Sequence, residues 1–479
     1  MKTRSSSEVL MDRLSELPDS LIFHIFWLLP MTDVVRTTIL SKRWNNLWTT
    51  TPYLNFDIYA MEFNCARELR NFINRVLVSW NGVRVLKFKV VLYCELDSLD
   101  DSFEADTDLW VHFAKHNQAE ELYFHANLSI YDYTIVKDWM PQCLYSCSSL
   151  KVLSITNGYF RIKGNVQWNQ LKSLAISITD LGLITEDVIN QILCGSPQLE
   201  VLIMSFGERG KSMSIRSTSL KELSIYKYDG GVQGYASYAS TSTELRIWTP
   251  NLKTLEIKGI PFSKCLLMNV SSLTHATLRY SHHPNEGTCC DDFSGINDFL
   301  SSNHFVGDLF GQLLPSTQHV ENITLSPCCV QVLGAMIEGC MNSSSPNIKL
   351  LRFRFNCKKV AVTIEIFPLS KKLVIKVERC GYNDSIWAEH YTYHEFEENL
   401  PMSFVLQLRT VEYNLVEGDI IFPCLEFLLK NASSLEKIVF RVKGSVQHSQ
   451  SLESLSRASQ KLLKMPRSSR TAEFTFCEY

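Results

Sequence analysis

Fifteen cysteines, twelve histidines and fifty acidic residues give this 479-residue chain ample material for chemistry, if any of it is spaced to work. The densest collection lies at 281–295, where His282, His283, Glu286, Cys289, Cys290, Asp291 and Asp292 could all ligate a metal. Structural zinc takes ligands in two sets spaced two to four residues apart, and adjacent pairs such as Cys289 and Cys290 point their side chains apart. The stretch therefore reads as an inserted loop. A second concentration, Asp97 to Asp108, holds six acids in twelve residues and reads as a solvated loop in preference to a calcium site. Neither Cys143 with Cys147 nor Cys328 with Cys329 forms a recognisable ligand set. No Gly-rich phosphate loop with Lys and Ser/Thr, no GxSxG elbow and no HExxH occurs, and the histidines are scattered. The sequence assigns no catalytic residue, no metal and no cofactor.

Composition points the same way. With 45% apolar and 20% charged residues the chain is globular rather than disordered. A net charge of −3 and an isoelectric point near 6.5 argue against nucleic acid as the main partner, since a polyanion needs a basic field. No segment approaches twenty apolar residues, and MKTRSSSEVLMDRL lacks the apolar centre of a signal peptide. The expected compartment is reducing, cytoplasm or nucleus, with buried thiols rather than disulfides and no membrane.

The elements that carry function are then sought in patterning. Pro18 and Asp19 suit the first turn of a helix, and from Leu21 to Leu29 only His24 is polar. That helix places Leu21, Ile25 and Leu28 on one side and Ile22, Phe26 and Leu29 on another, so it needs two surfaces to bury against. Pro30 ends it, Thr32 and Asp33 start a second helix to Ile39, and Ser41 caps a third over Lys42–Trp48. About forty residues cannot hide so much apolar surface alone, which predicts a docking module.

Leu17-Pro18-Asp19, Leu29-Pro30, Asp33 to Thr37, Leu40 to Trp44, Leu47-Trp48 and Pro52 to Asp57 together resemble the F-box of plant F-box/leucine-rich-repeat proteins. The resemblance implies a Skp1-like adaptor as partner and, through it, a cullin–RING ubiquitin ligase. The expected adaptor-binding residues are Leu17, Pro18, Ile25, Leu28, Leu29, Pro30, Leu40 and Trp44, with Leu28 and Leu29 divided between interface and core. Trp48 and the Pro52–Asp57 turn are expected to form a rigid hinge to the next domain.

Beyond an amphipathic helix over Ala60–Trp80 the chain repeats itself. LKVLSI from Leu150, LKSLAI from Leu171, LEVLIM from Leu199, LKELSI from Leu220, LKTLEI from Leu252 and LTHATL from Leu273 are spaced by 21, 28, 21, 32 and 21 residues. Further copies start at Val320 and Ile348, and weaker ones at Val83, Ala119, Leu408 and Leu435. The period is that of leucine-rich repeats, each a strand followed by a helical or irregular run such as Thr185 to Leu193. Such units bury their leucines only against neighbours and stack into a solenoid. The residue between the last two apolar positions faces the concave surface, giving a column of Lys87, Tyr123, Ser154, Ala175, Ile203, Ser224, Glu256, Thr277, Thr324 and Arg352. Ser154, Ala175, Ile203, Ser224, Glu256 and Thr277 are the expected substrate-binding positions.

Lys358–Phe367 and Lys371–Val377 alternate as strands. Leu400 to Val442, with a helix over Phe422–Asn431 and a strand over Leu435–Val442, is similar to the FBD domain that closes many plant F-box/leucine-rich-repeat proteins, and Gln460 to Phe474 resembles its basic end. The expected fold is α/β: a three-helix F-box at 10–57, a curved leucine-rich-repeat solenoid at 58–385, and an FBD cap with tail at 386–479. The resemblance implies a non-catalytic substrate-recognition subunit of an SCF-type ubiquitin ligase. Two alternatives share the architecture, a small-molecule receptor of the hormone-sensing type and a repeat scaffold outside any ligase. The hormone sensors hold an inositol polyphosphate with clustered basic residues, whereas this column is basic only near its ends.

Overall fold

The computed structural model describes residues 14, 16–58, 66–95, 101–129, 140–156, 162–177, 185–207, 212–228, 244–259, 262, 264–280, 319–325, 350–357, 360–368, 372–379, 402–415, 422–442, 466–469 and 471–478. They form mixed α/β structure in two compact units, 1–206 and 207–479. The histidine- and cysteine-rich stretch at 281–295 lies outside the described residues.

The first unit opens with three short helices, α1 (Asp19–Leu28), α2 (Met31–Arg36) and α3 (Lys42–Leu47). Ser41 caps α3 by accepting the Trp44 N–H at 3.4 Å, and Arg43 pairs with Asp19 across the group. Pro18 and Pro30 occupy the N-cap positions of α1 and α2, so α2 begins one residue before Thr32 and ends at Arg36, with a 3-10 turn over Thr37–Ile39.

A parallel sheet follows in chain order: β1 (Tyr53–Asp57), β2 (Lys87–Glu95), β3 (Glu121–Ser129), β4 (Val152–Thr156), β5 (Ser173–Ser177) and β6 (Val201–Gly207). The anchors Ala119, Leu150, Leu171 and Leu199 are buried, as are Leu153, Ile155, Leu174 and Ile176. Between strands run α4 (Ala66–Ser79), α5 (Asp101–His116) and α6 (Glu186–Gly195), the last capped by Thr185 through the Val188 N–H. α6 lays Ile189 and Ile192 on Ile176, Leu202 and Met204, enclosing a cavity of about 10 Å³, room for one water at most.

Three expectations are corrected in this unit. The acidic stretch is not a loop from residue 101 onward: it is the first half of α5, where Phe103, Thr107, Trp110, Val111 and Ala114 are buried. Asp106 there accepts hydrogen bonds from Arg70 Nε (2.6 Å) and Asn74 Nδ2 (2.8 Å) of α4. Tyr53–Asp57 is a strand and not a turn. Val83 is fully exposed and anchors nothing, Val85 is the buried anchor, and β2 starts at Lys87 because Leu86 and Lys87 donate to the Pro52 carbonyl at 2.8 and 3.2 Å.

In the second unit β8 (Glu222–Tyr228), β10 (Thr254–Gly259), β12 (His275–Tyr280), β13 (Asn322–Leu325) and β14 (Leu350–Cys357) pair in parallel. The runs between repeats here include strands rather than helices: β7 (Met213–Arg216), β9 (Glu244–Trp248) and β11 (Lys264–Met268) form a parallel three-stranded sheet of their own. Gly259 closes β10 at φ +90°, with space for a Cβ denied by the Lys227 carbonyl.

The repeat pattern then breaks. β15 (Val360–Phe367) and β16 (Lys372–Arg379) continue antiparallel from β14, before parallel pairing resumes through β17 (Thr410–Leu415), β18 (Lys437–Val442) and β19 (Glu473–Glu478). Helices Met402–Gln407 and Phe422–Asn431 precede β17 and β18, the latter with the bounds expected. The segment read as a basic tail end therefore includes the start of a strand.

Candidate functional site

The N-terminal helices bury one side of their apolar surface and present the other. Ile22 and Phe26 of α1, Met31 and Val34 of α2, and Trp44 of α3 are buried, with Trp44 edge-on to Phe26 at 5.6 Å. On the opposite stripe of α1, Leu21 is 51% and Leu28 70% exposed, and nearby in sequence Ile39 is 85% and Leu40 47% exposed. Of the expected adaptor-binding residues, Pro18, Leu28 and Leu40 are exposed, while Leu17, Ile25, Leu29 and Pro30 are half-buried. Trp44 is corrected: at 2% exposure it belongs to the core of the module. Leu14, Leu21 and Ile39 join the exposed set. Leu21 shares the helical stripe of Ile25 and Leu28, which was the available signal; Ile39 has none, because the 3-10 turn that projects it is not coded by a periodicity.

The module is not a free appendage. α1 and α2 pack on β1. Trp27 meets Tyr53 edge-on at 4.9 Å, and the Lys87 ammonium lies 3.6 Å from the centre of the Trp27 ring and 4.6 Å from that of Tyr123. Burial lowers the Lys87 pKa, with Glu121 opposing it, and burial beside Glu121 pushes the Tyr123 phenol up to about 12. Trp80 Nε1 donates to the Thr51 carbonyl (2.8 Å) and the Asn81 N–H to that of Thr49 (2.8 Å), so the segment after Trp48 is bolted to the end of α4.

The second candidate surface is the sheet face turned away from the buried leucines. In the first unit Ser154, Ala175 and Ile203 are successive cross-strand partners, continued backward by Tyr123 and Lys89. Lys89 therefore replaces Lys87 in the column, and it is paired with Asp57 at 2.8 Å. Ser154 Oγ is 2.9 Å from His125 Nε2, and Ile203 stands 36% exposed. In the second unit Ser224, Glu256 and Thr277 are successive partners, with Thr324 and Arg352 following. Glu256 accepts from Tyr226 (3.1 Å) and Ser224 (3.4 Å) and pairs with Lys258 at 2.7 Å. Burial pulls Lys258 down, but Glu256 and Tyr226 outweigh it and leave the ammonium above the ordinary lysine range.

Comparison with known proteins decides what the helical module is. Residues 14–55 match the F-box domain. The chain carries an F-box. Residues 107–235 match the leucine-rich repeats described for the FBD-associated F-box protein At5g56370, so an F-box-associated repeat region follows. F-box/LRR-repeat protein At3g03360 of Arabidopsis thaliana is 24% identical over 91% of this chain and 85% of its own length. F-box/FBD/LRR-repeat protein At1g13780 is 25% identical over 91% and 92%, and At5g56420, of the same description, 26% over 72% and 77%. No solved structure matches. Among the described residues no helix is long and apolar enough to cross a membrane.

Proposed function

We propose that this chain is a substrate-recognition subunit of an SCF-type ubiquitin ligase, its F-box docking a Skp1-like adaptor and its repeats holding a protein for ubiquitination. The observation that carries the reading is the apolar stripe left exposed within the F-box. Leu21, Leu28, Ile39 and Leu40 stay solvated although the module buries Ile22, Phe26 and Trp44 well, as a surface kept for a partner does. The adaptor interface comprises Leu17, Pro18, Ile25, Leu28, Leu29, Pro30 and Leu40, extended by Leu21 and Ile39. The chain itself is non-catalytic and works in cytoplasm or nucleus.

The substrate lies on the open sheet face, on Ser154, Ala175 and Ile203 of the first unit and Ser224, Glu256 and Thr277 of the second. The repeats form a solenoid over 58–385 after an F-box at 10–57, a reading supported by the parallel pairing of β1 to β6 in the first unit and of β8, β10, β12, β13 and β14 in the second. An FBD cap spans 386–479, a reading favoured by relatives whose names include FBD. The polar residues of the face favour a protein over a phosphorylated small ligand: Lys89 and Lys258 are each neutralised by a carboxylate. Affinity purification of the tagged chain with and without proteasome inhibition tests the whole. Recovery of adaptor and cullin, with other proteins enriched on inhibition, is expected; recovery of neither adaptor nor cullin would overturn it.

A further inference from the structure

We propose that Asp108, His112 and Cys143 form a three-ligand site for a divalent transition metal, zinc being the best match. Asp108 and His112 stand one helical turn apart on the same side of α5, with His112 Nε2 3.7 Å from Asp108 Oδ2. Cys143 reaches them from the 3-10 turn Gln142–Ser146, and one ligand atom from each residue lies within 4.8 Å of the others. Bond lengths of about 2.0–2.3 Å in a tetrahedral site put ligand atoms roughly 3.3–3.8 Å apart, so the set closes with about an ångström of side-chain adjustment. Asp108 and His112 are more than half exposed and free to make it.

The turn that presents Cys143 is held without any metal. Its carbonyl accepts from Ser146 Oγ at 2.9 Å and from Cys147 Sγ at 3.4 Å, and Lys115 Nζ of α5 donates to the same Ser146 hydroxyl at 2.7 Å. Helix and turn are thus already fixed against one another, and such supporting contacts are what orient ligands. A mixed oxygen, nitrogen and sulfur set suits zinc and not magnesium or calcium, which take oxygen alone. On binding, the Cys143 thiol gives its proton to solvent and its sulfur a bond to the metal, leaving a fourth position for water. The bound ion would clamp α5 to the turn beside β4.

Cobalt(II) titration of the reduced full chain tests this, since a thiolate ligand gives cobalt a charge-transfer band that oxygen and nitrogen ligands do not. One equivalent should bind with that band and be displaced by zinc. Cys143→Ser should abolish the band, and His112→Gln should lose the equivalent of bound metal, whereas Cys194→Ser, at an exposed cysteine elsewhere, should leave both unchanged. Zinc should raise the melting temperature of wild type and not that of His112→Gln, because only a metal held by the folded state stabilises it. No band in wild type, or a band of undiminished strength in Cys143→Ser, would overturn the site.

Discussion

One half-buried base, His125, tests the polar face of the first unit. Burial, reinforced by Lys89, holds the His125 pKa below the ordinary histidine value, while Asp57 opposes them. The unfolded chain therefore takes up this proton first as pH falls, so stability declines below about pH 6.5, the unperturbed value, and not above it. His125→Gln should flatten that part of the profile in chemical denaturation while preserving a partner for Ser154; an unchanged slope would show that the imidazole does not contribute. The same contact limits what Ser154 tolerates. An arginine there would lose the His125 hydrogen bond and add a cation beside it, so Ile203, exposed and on the same column, is the better probe of substrate binding. Ile203→Arg should keep the fold and lose substrate, whereas Leu202→Ala should cost about 2–5 kcal/mol through cavity formation. Unfolding of the first and tolerance of the second would displace the face by one residue. Gly259→Ala, strained at φ +90° and blocked by the Lys227 carbonyl, should destabilise the second unit by about 2 kcal/mol.

At the scale of elements, the repeat strands were legible because each buries two apolar positions after a fixed anchor, and Leu150, Leu171, Leu199, Leu220, Leu252 and Leu273 are all buried as the spacing requires. α5 was not legible. Its four acids, Asp101, Glu104, Asp106 and Asp108, dominate its first half, and its core face uses Thr107 and Ala114 beside Phe103 and Trp110, which makes a weak apolar stripe. What fixes it is a partner 36 residues away: Arg70, itself buried, pairs with Asp106, and Asn74 bridges Asp106 to Trp110 Nε1 at 2.8 Å. Asp106→Ala should then cost about 1.5–3 kcal/mol, because it removes a charge-assisted hydrogen bond from a buried guanidinium and another from Asn74, while Glu104→Ala on the exposed face should cost almost nothing. Equal effects in urea unfolding would restore the solvated-loop reading. The start of β2 escaped for a related reason: Val83 and Val85 alternate equally well, and distant carbonyls select between them, Asn117 accepting from the Val85 N–H at 3.0 Å and Pro52 from those of Leu86 and Lys87. The three-stranded sheet of β7, β9 and β11 uses strands of four or five residues, too short for a periodicity to distinguish them from the irregular runs expected there.

At the scale of the molecule, the proposed ligase role requires the F-box to hold a substrate at a steady distance from the transferred ubiquitin. Within the first unit that steadiness rests on β1 being part of the sheet and on the Trp80 indole bound to the Thr51 carbonyl. Trp80→Phe should leave adaptor affinity unchanged and slow ubiquitin transfer to a bound substrate; equal transfer rates would remove the rigid coupling. The central claim sits upstream of this, in the exposed stripe of the F-box. Its most direct test is the dissociation constant between the full chain and a Skp1-like adaptor for wild type and for Leu28→Asp with Leu40→Asp, two exposed positions whose change should leave the circular dichroism intact. A docking anchor contributes about 2 kcal/mol or more, so affinity should fall by about 30-fold at least, whereas binding of wild-type strength by the folded double variant would contradict the account.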